Sequence, residues 1–396
     1  MHYLDANATE PLRPAARAAV LAALELIGNP SSVHGAGRAV RRVVEDARTS
    51  LAARFGGRAE DLVFTSGATE ANALAVHALG GAPGEALGAA RGGASGSAGR
   101  RVIVGATEHD AVRAAAPGAV VLPVDREGVA DLDALAGLLR DGGPALVCLM
   151  LANNETGTLQ PIAQAAALCR CHGARLHVDA VQAAGRIPVD LAMLGAHSLA
   201  LSSHKLGGPM GAGALLLAPE VSAIIALIRG GGQERGRRGG TPPVPAIAGF
   251  AAALDPPELT ARCDAPTLAT LSDASALDAM RDAIERIAVD AGALVCGGGA
   301  PRLANTTCLA LPGVRADAQV IALDLDGIAV SAGAACSSGK VTASHVLAAM
   351  GLGALAGQAI RVSLPWNATR ADVAAFAAAY PRMAARLRAA LASRAA

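Results

Sequence analysis

Along the first two-thirds of the chain, short apolar runs alternate with longer Ala-rich stretches whose apolar positions recur at helical spacing. Leu62–Thr65, Arg101–Gly105, Val120–Val124, Ala145–Leu151, Arg175–Val178 and Ser198–Leu201 each read as a buried strand bounded by turn or helix-start signals. Between them, Thr69–Leu79, Asp131–Leu139 and Ile162–His172 read as helices. This alternation predicts an α/β fold, with a mostly parallel sheet covered by helices on both faces. Sites in such sheets gather beyond the carboxyl ends of the strands. Two segments break the rhythm. Gly80–Arg100 (GGAPGEALGAARGGASGSAGR) has the composition of a flexible surface insertion. Asp255–Pro266 carries Pro256, Pro257 and Pro266 and marks the candidate domain boundary. The expected division is a large domain over 15–255 and a small one over 256–396, joined by the N-terminal segment 1–14. In the second part Asp278–Ala291 reads as a helix, Thr306–Leu311, Ile328–Val330 and Ile360–Leu364 as strands, and the tail from Ala371 as a helix.

Composition narrows the function. A chain of 396 residues, 52% hydrophobic and 17% charged, suits two packed domains and excludes general disorder. With 34 Lys and Arg against 33 Asp and Glu, the net charge of +1 gives no reason to expect a nucleic-acid or polybasic membrane-surface partner. Aromatic residues, at 2%, leave few platforms for stacking bases. Seven cysteines without a CxxC spacing are not a disulfide framework; they suit a reducing compartment, where an important cysteine acts as a thiol. The N-terminus, MHYLDANATE, lacks a basic run leading into an apolar segment, and the Gly-rich uncharged stretch Leu206–Pro219 is far too short to span a bilayer. A cytoplasmic protein is expected.

Five motifs fall at strand ends or in the turns that follow. In Phe64–Asn72 a strand runs into a Gly turn and a helix opening at Thr69, which suits either a phosphate or a simple N-cap. In Leu176–Gln182, Asp179 ends a buried strand and needs a partner: a protonated ring nitrogen of a cofactor, a helix start or a salt bridge. In Ser202–Pro209 an apolar strand and two hydroxyl residues deliver Lys205 into a Gly-rich turn. A desolvated lysine there loses its proton readily and can form an imine, whereas an ordinary lysine is a solvated charge. The glycines that follow do not have GxGxxG spacing. In Ser331–Lys340, Cys336 sits among small residues in an expected loop, as a nucleophilic thiolate or a packed small side chain. In Ile360–Leu364, period-two alternation separates Arg361 from the apolar face, for a carboxylate ligand or a structural salt bridge. Cys169, Cys171 and His172 are metal-ligand types, but helical neighbours point to different faces and no metal is expected. Arg235, Arg237 and Arg238 form a basic Gly-rich loop that suits a solvated turn, an anion site or a subunit contact.

In this order the motifs resemble the cysteine desulfurases, pyridoxal-phosphate enzymes of the class V aminotransferase group. The resemblance extends through YLDANATEPL near the start, GNPSSVHGAGR at Gly28–Arg38, ATEHDAV at Ala106–Val112, ANNETGTLQPI at Ala152–Ile162 and SHVLAAMG at Ser344–Gly351, and so covers nearly the whole chain. The Ser331–Ser344 loop is similar in length to that of the nitrogen-fixation and housekeeping iron–sulfur type. The resemblance implies aminotransferase fold type I: a large domain with a mostly parallel seven-stranded sheet, plus a smaller α+β domain, in a homodimer. It implies conversion of L-cysteine to L-alanine, with the sulfur held as a persulfide on Cys336 and passed to a sulfur-acceptor or iron–sulfur scaffold protein. Lys205 would carry pyridoxal 5'-phosphate, Asp179 pair with its ring nitrogen, Gln182 with its ring hydroxyl, and His109 stack on the ring and move protons. Thr69, Ser202 and His204 would hold the phosphate, with Thr241 reaching it from the other subunit. Asn154 and Arg361 would bind the substrate carboxylate. A selenocysteine lyase or another class V lyase or aminotransferase shares most of this set, and an inactive scaffold shares the fold. Cys336 together with Asp179, Lys205 and His109 favours the desulfurase. The chain departs from the pattern at Ala334 and Gly239, where the family usually has Ser, and at Glu10, where Thr is frequent. The Gly80–Arg100 insertion and a C-terminal tail without the usual scaffold-docking ending are further departures.

Overall fold

A computed structural model describes residues 1–81, 100–140, 142–221, 224–254, 268–333 and 343–395. After a short β1 (His2–Tyr3), the first part supplies β2 (Leu62–Thr65), β3 (Arg101–Gly105), β4 (Val120–Leu122), β5 (Ala145–Cys148), β6 (Arg175–Asp179), β7 (Ser198–Ser202) and β8 (Gly213–Leu217). They form one seven-stranded sheet in the order β2-β8-β7-β6-β5-β3-β4. β4, β3, β5, β6 and β7 run parallel; β8 is antiparallel to both β7 and β2. β5 (ALVC) and β7 (SLALS) are buried at every position, as strands covered on both faces must be. The helices Ala68–Gly80, Leu132–Arg140 and Ile162–Cys171 lie close to their expected positions. Around the sheet one core runs from Val40 on the helix Gly35–Arg54 to Leu254, and it takes in Leu303.

The second part adds β9 (Leu294–Cys296), β10 (Thr306–Ala310), β11 (Ile328–Ala329), β12 (Ser331–Ala332) and β13 (Ala359–Ser363). β12-β13-β10-β9 make an antiparallel sheet, and β11 pairs in parallel with β1. Behind this sheet a separate core holds Leu4, Ile284, Leu309, Ile360, Phe376 and Tyr380, so the chain's first residues pack with its last third. Asp5 bridges to Ser363, and Ala6 N donates to Ser363 O at 3.0 Å, which carries the N-terminal strand into the seam between the two sheets.

Several expectations shift. The helix expected at Asp278–Ala291 spans Leu268–Asp290, because the residues before Asp278 continue its apolar spacing. Ser331 and Ala332, expected within a loop, pair with Arg361 and Ile360 as β12. The expected boundary at 255–266 and most of the 80–100 insertion lie outside the described residues; the insertion's ends meet where Arg100 N donates to Gly80 O at 2.7 Å.

Candidate active site

The strand-end motifs converge on one edge of the large sheet. β2 ends at Thr65, β3 at Gly105, β5 at Cys148, β6 at Asp179 and β7 at Ser202, and the turns after them hold Thr69, His109, Asn154, Gln182 and Lys205. Parallel strands bring these carboxyl ends together even though the motifs are far apart in sequence.

Asp179 forms the floor. Its Oδ2 accepts from Asn72 Nδ2 at 2.7 Å and its Oδ1 from Val181 N at 3.0 Å. Since Asn72 Nδ2 faces the carboxylate, Asn72 Oδ1 is left to accept from His177 Nε2 at 2.9 Å. His177 Nδ1 then accepts from Ser198 Oγ at 2.8 Å. Complete burial pushes the His177 pKa down to about 3, so the ring is neutral and this tautomer is consistent throughout. Asp179, 6% exposed, is thus fixed by two donors, with lone pairs left for a third.

Lys205 follows β7 in a short helical turn, Ser203–Lys205. Its Nζ donates to the carbonyls of Asn7 and, at 2.9 Å, of Ala8. Burial, reinforced by the charges of Arg361 and Arg186 and opposed by Asp5 and Asp179, lowers its pKa to about 7. The amine is therefore a nucleophile near neutral pH. Gln182 Nε2 donates to the same Asn7 carbonyl at 3.1 Å. Burial, with Lys205 beside it, lowers His204 to about 4, and its Nδ1 lies 3.1 Å from Thr9 Oγ1.

Beside this floor the helix Ala68–Gly80 starts at Gly67 without any side-chain cap, and a Cβ at Gly67 would meet nothing within 4 Å. Its first-turn N–H groups therefore face open space, and Thr69 is exposed there. Arg238 pairs with Glu70 at 2.8 Å, and Glu70 Oε2 accepts from Ser66 N at 2.7 Å. The basic loop is thereby fastened to the helix start. Arg48 and Phe64 N both bind Glu234, so the loop also covers the β2 edge. Thr241 beyond it is exposed, and among the described residues no hydrogen bond joins it to Lys205 or Thr69 within one chain.

His109 caps the helix Asp110–Ala115, its Nδ1 accepting from Ala111 N at 3.0 Å; the neutral ring therefore carries its proton on Nε2. It is exposed. Preceding it, Glu108 is fully buried; burial and the charge of Asp179 raise its pKa to about 8, and its Oε2 has no partner.

On the small-sheet side Arg361 is 2% exposed. Its Nη2 pairs with Asp5 at 2.7 Å and its Nη1 donates to the Asn154 carbonyl at 3.1 Å, while its buried Nε has no partner. The salt bridge considered from sequence is therefore present. Asn154 contributes its main chain here, and among the described residues its side-chain amide has no hydrogen-bond partner. Cys336 lies outside the described residues, but its flanks are described: Ser344 Oγ donates to Glu155 Oε2 at 2.6 Å, and a Cβ on Gly333 would fall 2.6 Å from that same oxygen. Among the described residues, Cys148, Cys169, Cys296 and Cys308 are buried and Cys171 is exposed; Cys263, like Cys336, lies outside them. Cys169 and Cys171 thus face apart, and among the described residues no three metal-ligating side chains cluster.

Sequence reasoning gave no role to Asn7, Asn72, His177, Arg186 or Glu155. Asn7 is fully buried and donates through Nδ2 to the Asn154 carbonyl at 3.1 Å and Thr306 Oγ1 at 3.0 Å, joining the two sheets. For Asn7, Asn72, His177 and Glu155 a polar residue inside a quoted motif was the available signal, whereas Arg186 lies in none of the motifs.

An amine held near neutrality, a fixed carboxylate with spare lone pairs and an uncapped helix start with open space fit a phosphorylated pyridine aldehyde. Comparison with known proteins agrees. Residues 2–376 match the family model Aminotransferase class-V. The chain is 37% identical to an IscS-like cysteine desulfurase of Mycobacterium tuberculosis, over 98% of this chain and 97% of that one. It is 40% identical to a cysteine desulfurase of Cereibacter sphaeroides, over 94% and 92%. The structure superposes on a NifS-like protein of Rickettsia africae with a TM-score of 0.83 at 30% identity, covering 97% of this chain and 99% of that one. The chain belongs to the class V aminotransferase family, with the α/β architecture of its NifS-like members.

Proposed function

We propose that the protein is a pyridoxal-phosphate-dependent cysteine desulfurase that converts L-cysteine to L-alanine and supplies sulfur for iron–sulfur cluster assembly. The observation that carries the reading is Lys205: a half-buried lysine whose pKa is lowered to about 7, following the end of β7 where Asp179 ends the adjacent β6. Relatives named as cysteine desulfurases span nearly the full chain and support the same reading.

Bound pyridoxal phosphate would supply an electron sink for the carbanion formed beside the substrate's amino group. Asp179 would face its ring nitrogen and keep it protonated; Gln182 would face the ring hydroxyl. The start of the helix Ala68–Gly80, with Thr69, Ser202 and His204, would hold the phosphate, completed by Thr241 of a second subunit in a homodimer. Arg361 and the Asn154 amide would orient the substrate carboxylate. Lys205, its pKa lowered to about 7 so that the amine is largely neutral above that pH, takes the α-proton, and His109 moves a proton through Nε2. Cys336 thiolate attacks the substrate sulfur: the S–S bond forms, the carbon–sulfur bond breaks, and the carbon gains a proton to give alanine. The persulfide left on Cys336 then passes to an acceptor protein. The large and small domains at 15–255 and 256–396, and a reducing cytoplasmic setting, belong to this reading. Among the described residues no helix is long and apolar enough to cross a membrane.

The test uses purified holoenzyme. It should be yellow, its cofactor should be trapped on Lys205 by borohydride, and L-cysteine should yield alanine. Cys336→Ala should keep the colour and the substrate-induced spectral change and lose sulfur transfer. Normal persulfide turnover in that variant would overturn the role of Cys336.

A further inference from the structure

The two ends of the Gln182 amide are not equivalent: the oxygen only accepts and the nitrogen only donates. Which end faces the site decides what Gln182 offers a ligand there. Arg186, four residues on, settles the orientation. Its Nη1 donates to Gln182 Oε1 at 2.7 Å and to the Gln182 carbonyl at 2.9 Å. A guanidinium has no acceptor, so the amide oxygen must face Arg186. Nε2 is then directed at the Asn7 carbonyl, the group that also receives Lys205 Nζ.

Arg186 is held in turn. Its Nη2 donates to Glu10 Oε1 at 3.1 Å, and Glu10 Oε2 accepts from Trp366 N at 3.2 Å. The two side chains keep only 12% and 7% of their accessibility. Burial pushes the Arg186 pKa down and the Glu10 pKa up, and each ion is tolerated there because the other compensates it.

We propose that Glu10 and Arg186 are positioning residues: the pair locks the Gln182 amide with its NH2 toward Lys205, as a donor matched to a deprotonated ring hydroxyl. The inference rests on the reading that Gln182 faces that hydroxyl. A donor on the ring oxygen draws negative charge from it and lowers the pH midpoint at which the bound chromophore gives up its proton. Charge alone predicts something different. Removing the Glu10 anion makes the surroundings more positive and lowers the midpoint; losing the Gln182 donor raises it. Glu10 substitutions therefore separate orientation from charge by sign.

The experiment titrates the visible absorption band of the holoenzyme in wild type, Glu10→Leu, Gln182→Leu and the double variant. Glu10→Gln stands in if Glu10→Leu does not fold. Gln182→Leu should raise the midpoint by about one pH unit, a tenfold change in the equilibrium at fixed pH. The Glu10 variant should raise it too, and should lose that upward shift in the Gln182→Leu background. An unchanged or lowered midpoint in the Glu10 variant overturns the proposal. If Gln182→Leu itself leaves the midpoint in place, the contact between Gln182 and the ring hydroxyl fails instead, and the inference built on it falls with it.

Discussion

The floor of the site and its rim are built differently. The floor is made at neighbouring ends of a single sheet: Asp179 on β6 pairs in register with Ala200 on β7, and Lys205 follows five residues after Ala200. Its support is a polar line, Ser198–His177–Asn72–Asp179, buried between the sheet and one helix. The rim joins four distant pieces: Asp5 and Asn7 near the start, the turn Asn153–Thr158, Arg361 on β13 and Ser344 beyond Cys336. A floor of this kind holds a cofactor in fixed geometry. A rim made where the two sheets meet is suited to a substrate that must enter and leave. Changes at the rim should therefore act mainly on substrate handling and reach the floor only through the charge of Arg361 on Lys205, while changes at the floor should act mainly on the cofactor's environment.

The largest expected effect that challenges this division comes from Arg361→Leu. It leaves Asp5 without its cation and takes one of two donors from the Asn154 carbonyl, which keeps Asn7 Nδ2. The loss is about 3 kcal/mol, the low end for breaking a buried pair, because Asp5 keeps 17% of its accessibility. On the proposed reading KM for L-cysteine rises ~100-fold or more while the visible band of the bound cofactor stays in place. A KM change of less than a few-fold would assign Arg361 to the Asp5 salt bridge alone.

Next is the pH dependence of the floor. Lys205 should be charged below about pH 7 and neutral above it. Covalent uptake of pyridoxal phosphate by the apoprotein should therefore rise roughly 100-fold between pH 5 and a plateau above pH 8. The sign for stability follows from the same shift. The unfolded lysine titrates near 10.4, so the penalty of burying its charge is full below about pH 7 and fades between 7 and 10.4. Lys205→Met should accordingly stabilise the apoprotein most at acid pH. Arg361 lowers the Lys205 pKa, so Arg361→Leu should move the uptake midpoint upward. A midpoint near that of a free lysine in wild type would mean that the amine is not shielded.

Asn72→Leu tests the line beneath the floor. It takes a donor from a charged carboxylate and an acceptor from His177. The expected loss in chemical denaturation of the apoprotein is roughly 1.5–3 kcal/mol. His177→Leu in the same background should add little, because the line is already broken. Fully additive losses would show that the four groups are independent.

The floor was the more legible part in sequence, and the reason is geometric. Asp179 and Lys205 each end an apolar run, and the topology of parallel sheets brings such ends together without further information. The strand–helix alternation likewise exposed the six strands from Leu62 to Leu201 within a few residues of their ends, since β5 and β7 are buried at every position and show as continuous apolar runs. The rim was not legible. Arg361 could be a substrate ligand or a salt bridge because its partner, Asp5, is separated from it by nearly the whole chain. Asn7 and Glu155 gained roles only once β1, β10 and the turn after β5 were brought face to face. Arg186 looked like any surface arginine, because burial beside Glu10 is a tertiary fact. Helix Leu268–Asp290 was under-read for a different reason: its first turns follow a Pro-rich stretch that suggested a linker.

The smallest effect gives the cleanest separation of floor from rim. Ser344 Oγ accepts from Leu347 N at 3.0 Å, capping the helix His345–Ala349, and donates to Glu155 Oε2 at 2.6 Å. Ser344→Ala removes both bonds and should cost about 1–2 kcal/mol. Burial already raises the Glu155 pKa, and losing the Ser344 hydroxyl should raise it further. Ser344→Asp distinguishes the two roles, because Asp caps a helix as well as Ser does but sets a second carboxylate against Glu155. If capping alone matters, Asp restores the stability lost in Ala. If the bond to Glu155 matters, Asp is worse than Ala while both carboxylates are charged and recovers as the pH falls and the pair takes up a proton. In neither variant should the Lys205 uptake midpoint or the cofactor band move, because no charged group of the floor touches Ser344. A shift in either would mean that the junction of the two sheets is transmitted into the floor, and the two regions would have to be treated as one.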